Sequence, residues 1–353
     1  MKRLLLLIIV VTMVMALVVT IGLSGCKQEV APETTVAETT AAETTAAETT
    51  AAKQLVFGIT MPKLDAAGFR INTDSARKYC DENGIKLTEL SAEYSVETQT
   101  LQIEDFITQG VDAIIFTSVD TKGMIAAVEE ANAAGIPIVA MDSSVEGGKL
   151  AGLIESDNAL HGVMGCDLMA DAAKAAGIDL KDLKVLELLG AQATSPGLER
   201  SKGFTQRAAE LGITIVSSLP TEWQSDKAYN AVLDAFQANP GINAIFEASD
   251  IAMHGGVEPA LKQINKLIKA GEKGHIIITS VDGGPQGIDA IRSGYIDGIA
   301  VQSLIVMGYK AAETAHKAVK GELPEEGLIV KIAPVAATMA NVDSPDLWAN
   351  QIK

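Results

Sequence analysis

The chain has 353 residues, of which 48% are hydrophobic and 21% charged, enough to bury a large core in one big domain or two. Its formal charge is −17 and its pI near 4.7. Phosphate backbones and anionic lipid repel so acidic a protein, and no basic run offsets this, so nucleic acid and direct adsorption to a membrane surface are excluded as partners.

The first segment, MKRLLLLIIVVTMVMALVVTIGLSGC, sets two cations before a long apolar run and small residues before Cys26. This is the grammar of a signal peptide, although a run of this length could also anchor as a transmembrane helix. The tetrad Leu23-Ser24-Gly25-Cys26 resembles the bacterial lipoprotein cleavage motif, in which the cysteine becomes the lipidated first residue. Residues 1–25 are therefore expected to be a lipoprotein signal peptide. Cys26 would be the lipidation site, and the protein would sit outside the cytoplasm, attached to the cell membrane through its N-terminal lipid only. Residues 26–54 follow as a disordered tether. Their core, APETTVAETTAAETTAAETTAA, repeats every five residues, a period that builds no helical face, and it contains nothing that could form a core.

From Leu55 short apolar runs alternate with amphipathic stretches: LVFGIT, INTDSARKYCDENG, KLTELSA, VETQTLQIEDFITQG, AIIFTS, TKGMIAAVEEANAAG and IPIVAMD. Runs that are apolar throughout suit parallel strands covered on both faces, and strand alternating with helix predicts a doubly wound parallel sheet. After ESDN at 155–158 the pattern restarts. ENGIKLTELSA matches ELGITIVSSLP, VDAIIFTSVD matches INAIFEASD, and GIPIVAMD matches GHIIITSVD, in the same order. The fold class is thus α/β, with two doubly wound domains of one design. Cys80 and Cys166 fall in helical apolar patterns, where buried free thiols are expected rather than a disulfide.

Aspartate ends matching strands in both halves: Asp120 and Asp142 in the first, Asp250 and Asp282 in the second. Open parallel sheets bind ligands beyond the carboxyl ends of their strands, so these carboxylates stand where a site would form. Aspartate at a strand exit also caps the following helix, and both readings apply to each residue.

At this point the chain resembles the periplasmic sugar-binding protein family, the ribose- and galactose-type solute-binding proteins of bacterial ABC importers. The resemblance runs over about residues 55–335 and is carried by GIPIVAMD, ESDN, LERSKGF and HIIITSVDGGPQGIDAIRSGYIDG followed by IAVQ. It implies a type I periplasmic binding fold, two Rossmann-like domains joined by a three-segment hinge. Crossings would fall near Ser156–Asp157, Gln302–Ser303 and Lys331–Ala333. The N-terminal lobe would comprise 55–156 plus 303–331, the C-terminal lobe 157–302 plus 332–340, and 341–353 would be a tail with Trp348 packed on the domain surface. Carried over by position, the ligand pocket would use Phe69 and Trp223 as stacking rings, with Asp142, Arg200, Asp282 and Gln302 as polar contacts. Such a set suits a sugar, whose hydroxyls both donate and accept and whose C–H faces lie flat on rings.

Three departures bear on the ligand. Asp142 is followed by Ser143 where the family often has arginine, and Ser249 precedes Asp250 where the ribose type has asparagine. KLDAAGF replaces the usual Asn-Pro-aromatic loop, leaving Asp65 as a further candidate. Shorter donors on both walls leave room and argue against ribose itself.

The function implied is capture of a sugar or polyol by hinge closure and its delivery to an ABC permease, by a monomer with no cofactor and no metal. An extracellular sensor presenting a furanosyl quorum molecule or nucleoside to a receptor shares the same pocket. An exported enzyme is disfavoured: the mature chain has no GxGxxG after its first strand, no GxxxxGK[ST], no GxSxG, and no His or Cys cluster with ligand spacing.

Overall fold

The computed structural model describes residues 53–352; the expected signal peptide, Cys26 and the tether up to residue 52 lie outside the described residues. The first half runs β1 (Val56–Met61), α1 (Ala67–Glu82), β2 (Lys86–Ser91), α2 (Val96–Gln109), β3 (Ala113–Phe116), α3 (Ile125–Ala133), β4 (Ile138–Met141) and β5 (Gly152–Ser156). The second runs α4 (Asn158–Ala175), β6 (Lys184–Leu189), α5 (Ser195–Leu211), β7 (Thr214–Pro220), α6 (Ser225–Ala238), β8 (Ala244–Glu247), α7 (Asp250–Gln263), β9 (Ile277–Asp282), α8 (Pro285–Ser293) and β10 (Gly298–Val301). Then follow α9 (Leu304–Val319), β11 (Leu328–Ile332) and β12 (Val335–Ala337).

The strands form two six-stranded sheets, ordered β11-β5-β4-β3-β1-β2 and β12-β10-β9-β8-β6-β7. Within each the order turns back beside the first strand, β1 or β6, which is the switch point where open α/β sheets leave a crevice. Central strands β3, β4, β8 and β10 are buried at every residue because helices cover both faces. Edge strand β11 alternates half-buried and exposed residues, as a one-sided strand must.

The first sheet is parallel throughout, whereas β12 runs antiparallel to β10. This departure from an all-parallel pattern has a topological cause. Strand β11 leaves the first sheet at its carboxyl edge, and only Ala333 and Pro334 intervene before β12 joins the second sheet. A chain running straight on can be antiparallel there only by entering through that sheet's carboxyl edge. The carboxyl edges of the two sheets therefore face one another. Two other passages lead across: β5 into α4, which packs on β9 and β10, and β10 into α9, which packs on β3, β4 and β5.

Local chemistry sets the helix ends that border the cleft. Ser95, Asp157, Thr194 and Ser249 each accept a backbone N–H at the start of α2, α4, α5 and α7. Helices α4 and α5 pack with backbones nearly touching: a Cβ on Gly162 would lie 2.0 Å from the Arg200 carbonyl oxygen, and one on Gly203 would lie 2.0 Å from that of Ala159. Cys80 and Cys166 are buried free thiols in separate core clusters, pushed up to about 12 by burial. The segment after β12 belongs to the core of the second lobe. Trp348 is 3% exposed, beside buried Val342 and Leu347, so it does not rest on the surface as the sequence suggested.

Candidate functional site

Between the facing carboxyl edges lies a cavity of about 610 Å³, lined by loops from both lobes. Its polar floor is built around Arg200, 2% exposed on α5. The guanidinium donates from Nε to Asn158 Oδ1 at 2.9 Å and from Nη1 to the Ala248 carbonyl at 2.7 Å, and Nη1 lies 2.9 Å from Asp282 Oδ1. The close α4–α5 packing allowed by Gly162 and Gly203 brings Asn158 and Arg200 within reach of each other.

Asp282 ends β9 with φ 97°, a left-handed conformation that turns its carboxylate toward Arg200 and the cavity. Ser249 Oγ donates to Oδ2 and Gln302 Nε2 to Oδ1, while the Asp282 carbonyl accepts from Gln302 N at 3.1 Å and from Trp348 Nε1 at 2.9 Å. Gln302 in turn accepts from Ser156 Oγ at 2.7 Å, tying together two of the passages between lobes. His161, buried beside this group, is pushed down to about 4, first by burial and then by the Arg200 charge, so it adds no second cation.

Asp142 reaches the same cavity from the opposite lobe, at the end of β4, with φ 67°. Burial pushes its carboxyl up to about 6, Arg200 opposing the shift and Asp282 adding to it. Ser143 beside it is 2% exposed, and its hydroxyl has no partner among the described residues. Phe69, on the first turn of α1, and Trp223, in the loop after β7, supply rings to the lining. Trp223 lies against Gly190, where a Cβ would come within 2.0 Å of the indole, and the Arg200 guanidinium sits 5.7 Å from its ring centre.

Of the residues singled out from the sequence, Phe69, Asp142, Ser143, Arg200, Trp223, Ser249, Asp282 and Gln302 all line this cavity. Asp250 does not. It is fully buried at the start of α7, accepting N–H bonds from Gly283 and Gly284 at 2.8 Å each, and so braces the β9–α8 loop from behind. Burial and the nearby Asp282 charge raise its carboxyl well above the usual range. Asp65 is also off the wall: its side chain is 80% exposed and points to Lys63, 4.0 Å away. Asp120 lines the cavity, yet one of its oxygens is engaged by the N–H groups of Lys122 and Gly123 in a local turn; it does not cap α3, whose N-cap position is Met124.

Among the lining residues that the sequence reading did not name, Asn72 and Tyr94 bear most on the chemistry. Asn72, on α1, is 1% exposed with an Oδ1 that has no partner among the described residues, and a lone polar residue in a helical pattern carries no signal of this. Tyr94 did leave a signal, because SAEYS after β2 matches PTEWQ after β7 and puts Tyr94 in the place of Trp223. Among the described residues, two backbone N–H bonds cross between lobes at the cleft border: Thr121 N–H to the Ala193 carbonyl at 3.0 Å, and Ser144 N–H to Ser195 Oγ at 3.2 Å. Among the described residues no group of three or more His, Cys, Asp or Glu could hold a metal ion.

Two wound lobes meeting over a single polar cavity define the class of two-lobed solute-binding proteins. A family model described as the periplasmic binding protein domain matches residues 57–323, and the chain belongs to that family, an extracytoplasmic solute-binding protein of the ABC-importer type and not an enzyme. It is 30% identical over 249 residues to the ribose import binding protein RbsB of Escherichia coli, covering 70% of this chain and 79% of the relative. It is also 30% identical to a xylitol-binding protein of Mycolicibacterium smegmatis, covering 75% of this chain and 72% of the relative. A carbohydrate transporter solute-binding protein from Agrobacterium radiobacter, solved in complex with D-arabinose, shares the fold with a TM-score of 0.76 at 24% identity, over 84% of this chain and 99% of that one.

Proposed function

We propose that this protein captures a sugar or polyol between its lobes by hinge closure and delivers it to the membrane subunits of an ABC permease. The observation that carries this reading is the arrangement of one buried cation, Arg200, with carboxylates from both lobes, Asp142 and Asp282, around one cavity. Sugar hydroxyls need fixed acceptors and donors together, and closure is favoured only by a ligand that touches both lobes. The unpartnered Ser143 hydroxyl and Asn72 Oδ1 supply further polar contacts that a ligand would satisfy. Phe69 and Trp223 cover C–H faces, and Ser249 and Gln302 hold Asp282 in place. The lobes, 55–156 plus 303–331 and 157–302 plus 332–340, move as bodies about the passages between them. The protein works as a monomer, attached through lipidated Cys26 and the 26–54 tether. The names of the relatives support the ligand class, while Ser143 and Ser249 set this site apart from the ribose type. No observation favours the signalling alternative.

Titration calorimetry against D-ribose, xylitol, D-allose, D-arabinose and myo-inositol, paired with small-angle scattering, tests the reading. Binding in the micromolar range or tighter, about 8 kcal/mol or more, with a fall in radius of gyration, is the expected result. No binding across the panel, or binding without compaction, overturns it.

A further inference from the structure

Tyr94 is 49% exposed yet lines the cavity, and among the described residues its hydroxyl has no hydrogen-bond partner. Its loop repeats two backbone bonds and the left-handed turn of the loop that carries Trp223, and adds a bond from Tyr94 N–H to the Pro62 carbonyl at 2.9 Å. Ala92 N–H donates to the Met61 carbonyl at 2.8 Å, as Thr221 N–H donates to Leu189 at 2.9 Å. Ser95 N–H returns to the Ala92 carbonyl at 2.9 Å, as Gln224 N–H returns to Thr221 at 2.9 Å. The two residues between are left-handed in both loops, with φ 50° and 57° at Glu93 and Tyr94 and φ 53° and 57° at Glu222 and Trp223.

Consecutive left-handed residues other than glycine are unfavourable and persist only where their surroundings impose them. Here the same unfavourable turn is built twice, each time aiming an aromatic ring. The two loops follow β2 and β7, each at the edge of its sheet opposite β11 and β12, whose junction carries the chain between lobes. The two loops therefore stand at the end of the cleft remote from the junction where Gln302 and Ser156 lie; the Trp223 ring reaches back over Gly190 to within 5.7 Å of the Arg200 guanidinium, whereas Tyr94 stays half exposed.

Resting on the sugar-binding reading, the geometry points to an outer aromatic subsite at Tyr94, beyond the sugar-stacking Trp223 ring, and so to a ligand whose sugar ring carries a second, flat or apolar-faced group: a glycoside. The polar floor with the Phe69 and Trp223 rings holds the sugar, and Tyr94 takes the group attached to it, where a half-exposed aromatic face gains most from being covered.

The test compares D-ribose, D-arabinose and D-allose with their phenyl glycosides by calorimetry on wild type, Tyr94→Ala and Tyr94→Phe. In at least one pair the wild type should bind the phenyl glycoside about tenfold more tightly than the free sugar. Tyr94→Ala should abolish most of that preference while moving the free sugar less than about twofold, and Tyr94→Phe should keep it. Three outcomes overturn the outer subsite and leave the sugar reading standing: no preference for the glycoside in any pair, equal weakening of both members in Tyr94→Ala, or a preference that survives Tyr94→Ala. Failure of the wild type to bind either member of any pair overturns the outer subsite, and the sugar-or-polyol reading falls with it only if xylitol and myo-inositol also fail to bind.

Discussion

Arg200 and Asp282 form an ion pair with 2.9 Å between Nη1 and Oδ1, and their side chains are only 3% and 8% exposed. Each therefore compensates the buried charge of the other, within a frame of hydrogen bonds from Asn158, Ala248, Ser249 and Gln302. Removing one charge of such a pair strands its partner, at a cost of about 3–5 kcal/mol, whereas removing both with apolar replacements is often close to neutral. Asp282→Asn should accordingly lose about 3–5 kcal/mol of unfolding free energy in denaturant titrations. The double variant Arg200→Met/Asp282→Leu should be less destabilised than the single one, although both lose ligand. A double variant less stable than Asp282→Asn would contradict this account of the pair.

Asp142 makes the protein sensitive to pH. Its carboxyl is raised from 3.8 to about 6 in the fold, so between those values the native state holds more proton than the unfolded chain. Its contribution to stability is complete below pH 3.8 and is lost as the pH rises through about 6. Asp142→Asn removes the ionised form and should stabilise the ligand-free protein by about 1–3 kcal/mol at pH 7.5, with little gain at pH 4. A ligand hydroxyl donating to this carboxylate favours its ionised form, so wild-type affinity should rise between pH 5 and 7.5. Thermal unfolding of both proteins across this range, with calorimetry at its two ends, checks the pair of trends; a stabilising effect that does not depend on pH would count against them.

Trp348 lies 66 residues from Asp282 along the chain, yet its indole N–H donates to the Asp282 carbonyl. Trp348→Phe keeps most of the packing and removes the donor. It should cost about 1 kcal/mol of stability and weaken binding, since the left-handed backbone at Asp282 loses one of the two groups holding its carbonyl. Trp348→Ala should cost about 3–5 kcal/mol. Unchanged affinity in Trp348→Phe would mean that the tail supports the core and not the site.

Gly190 leaves the space that the Trp223 ring occupies. In Gly190→Ala the new methyl group and the indole cannot both remain where they are, and the ring, on a loop at the cleft border, is the part free to move. The expected outcome is a stability loss of about 1–3 kcal/mol with a loss of ligand affinity greater than that destabilisation explains. Because the chain has only two tryptophans, emission measured in a Trp348→Phe background reports on Trp223 alone. An unshifted spectrum in Gly190→Ala would contradict the predicted displacement.

The parallel α/β character and its duplication were legible because each rests on local chemistry. Apolar runs such as AIIF and IVAM, short and bounded by turn residues between helical stretches, suit strands buried on both faces, and β3 and β4 are buried at every residue. The antiparallel β12 was not legible, since its direction depends on which edge of the second sheet the chain enters after Ala333 and Pro334. In the cavity wall, the residues carried over from the resemblance lie together, but Tyr94 and Asn72 were missed. Tyr94 required the matched halves to be followed one loop further, and Asn72 looks like any polar residue on a helix.

The sequence by itself determined the periodicity, the turn chemistry and the repetition of one domain plan, because these depend on neighbours within a few residues. Only the tertiary structure decided what each strand-end aspartate does. Asp250 and Asp282 stand at the carboxyl ends of the neighbouring strands β8 and β9, yet Asp250 binds the backbone of Gly283 and Gly284 from behind while Asp282 faces Arg200 and the cavity. The distinction lies in one left-handed backbone angle and in partners from α5, β10 and the C-terminal segment, brought close only by the packing of elements far apart in the chain. Free energies of that kind come from contacts between distant segments, and no local pattern of residues encodes them.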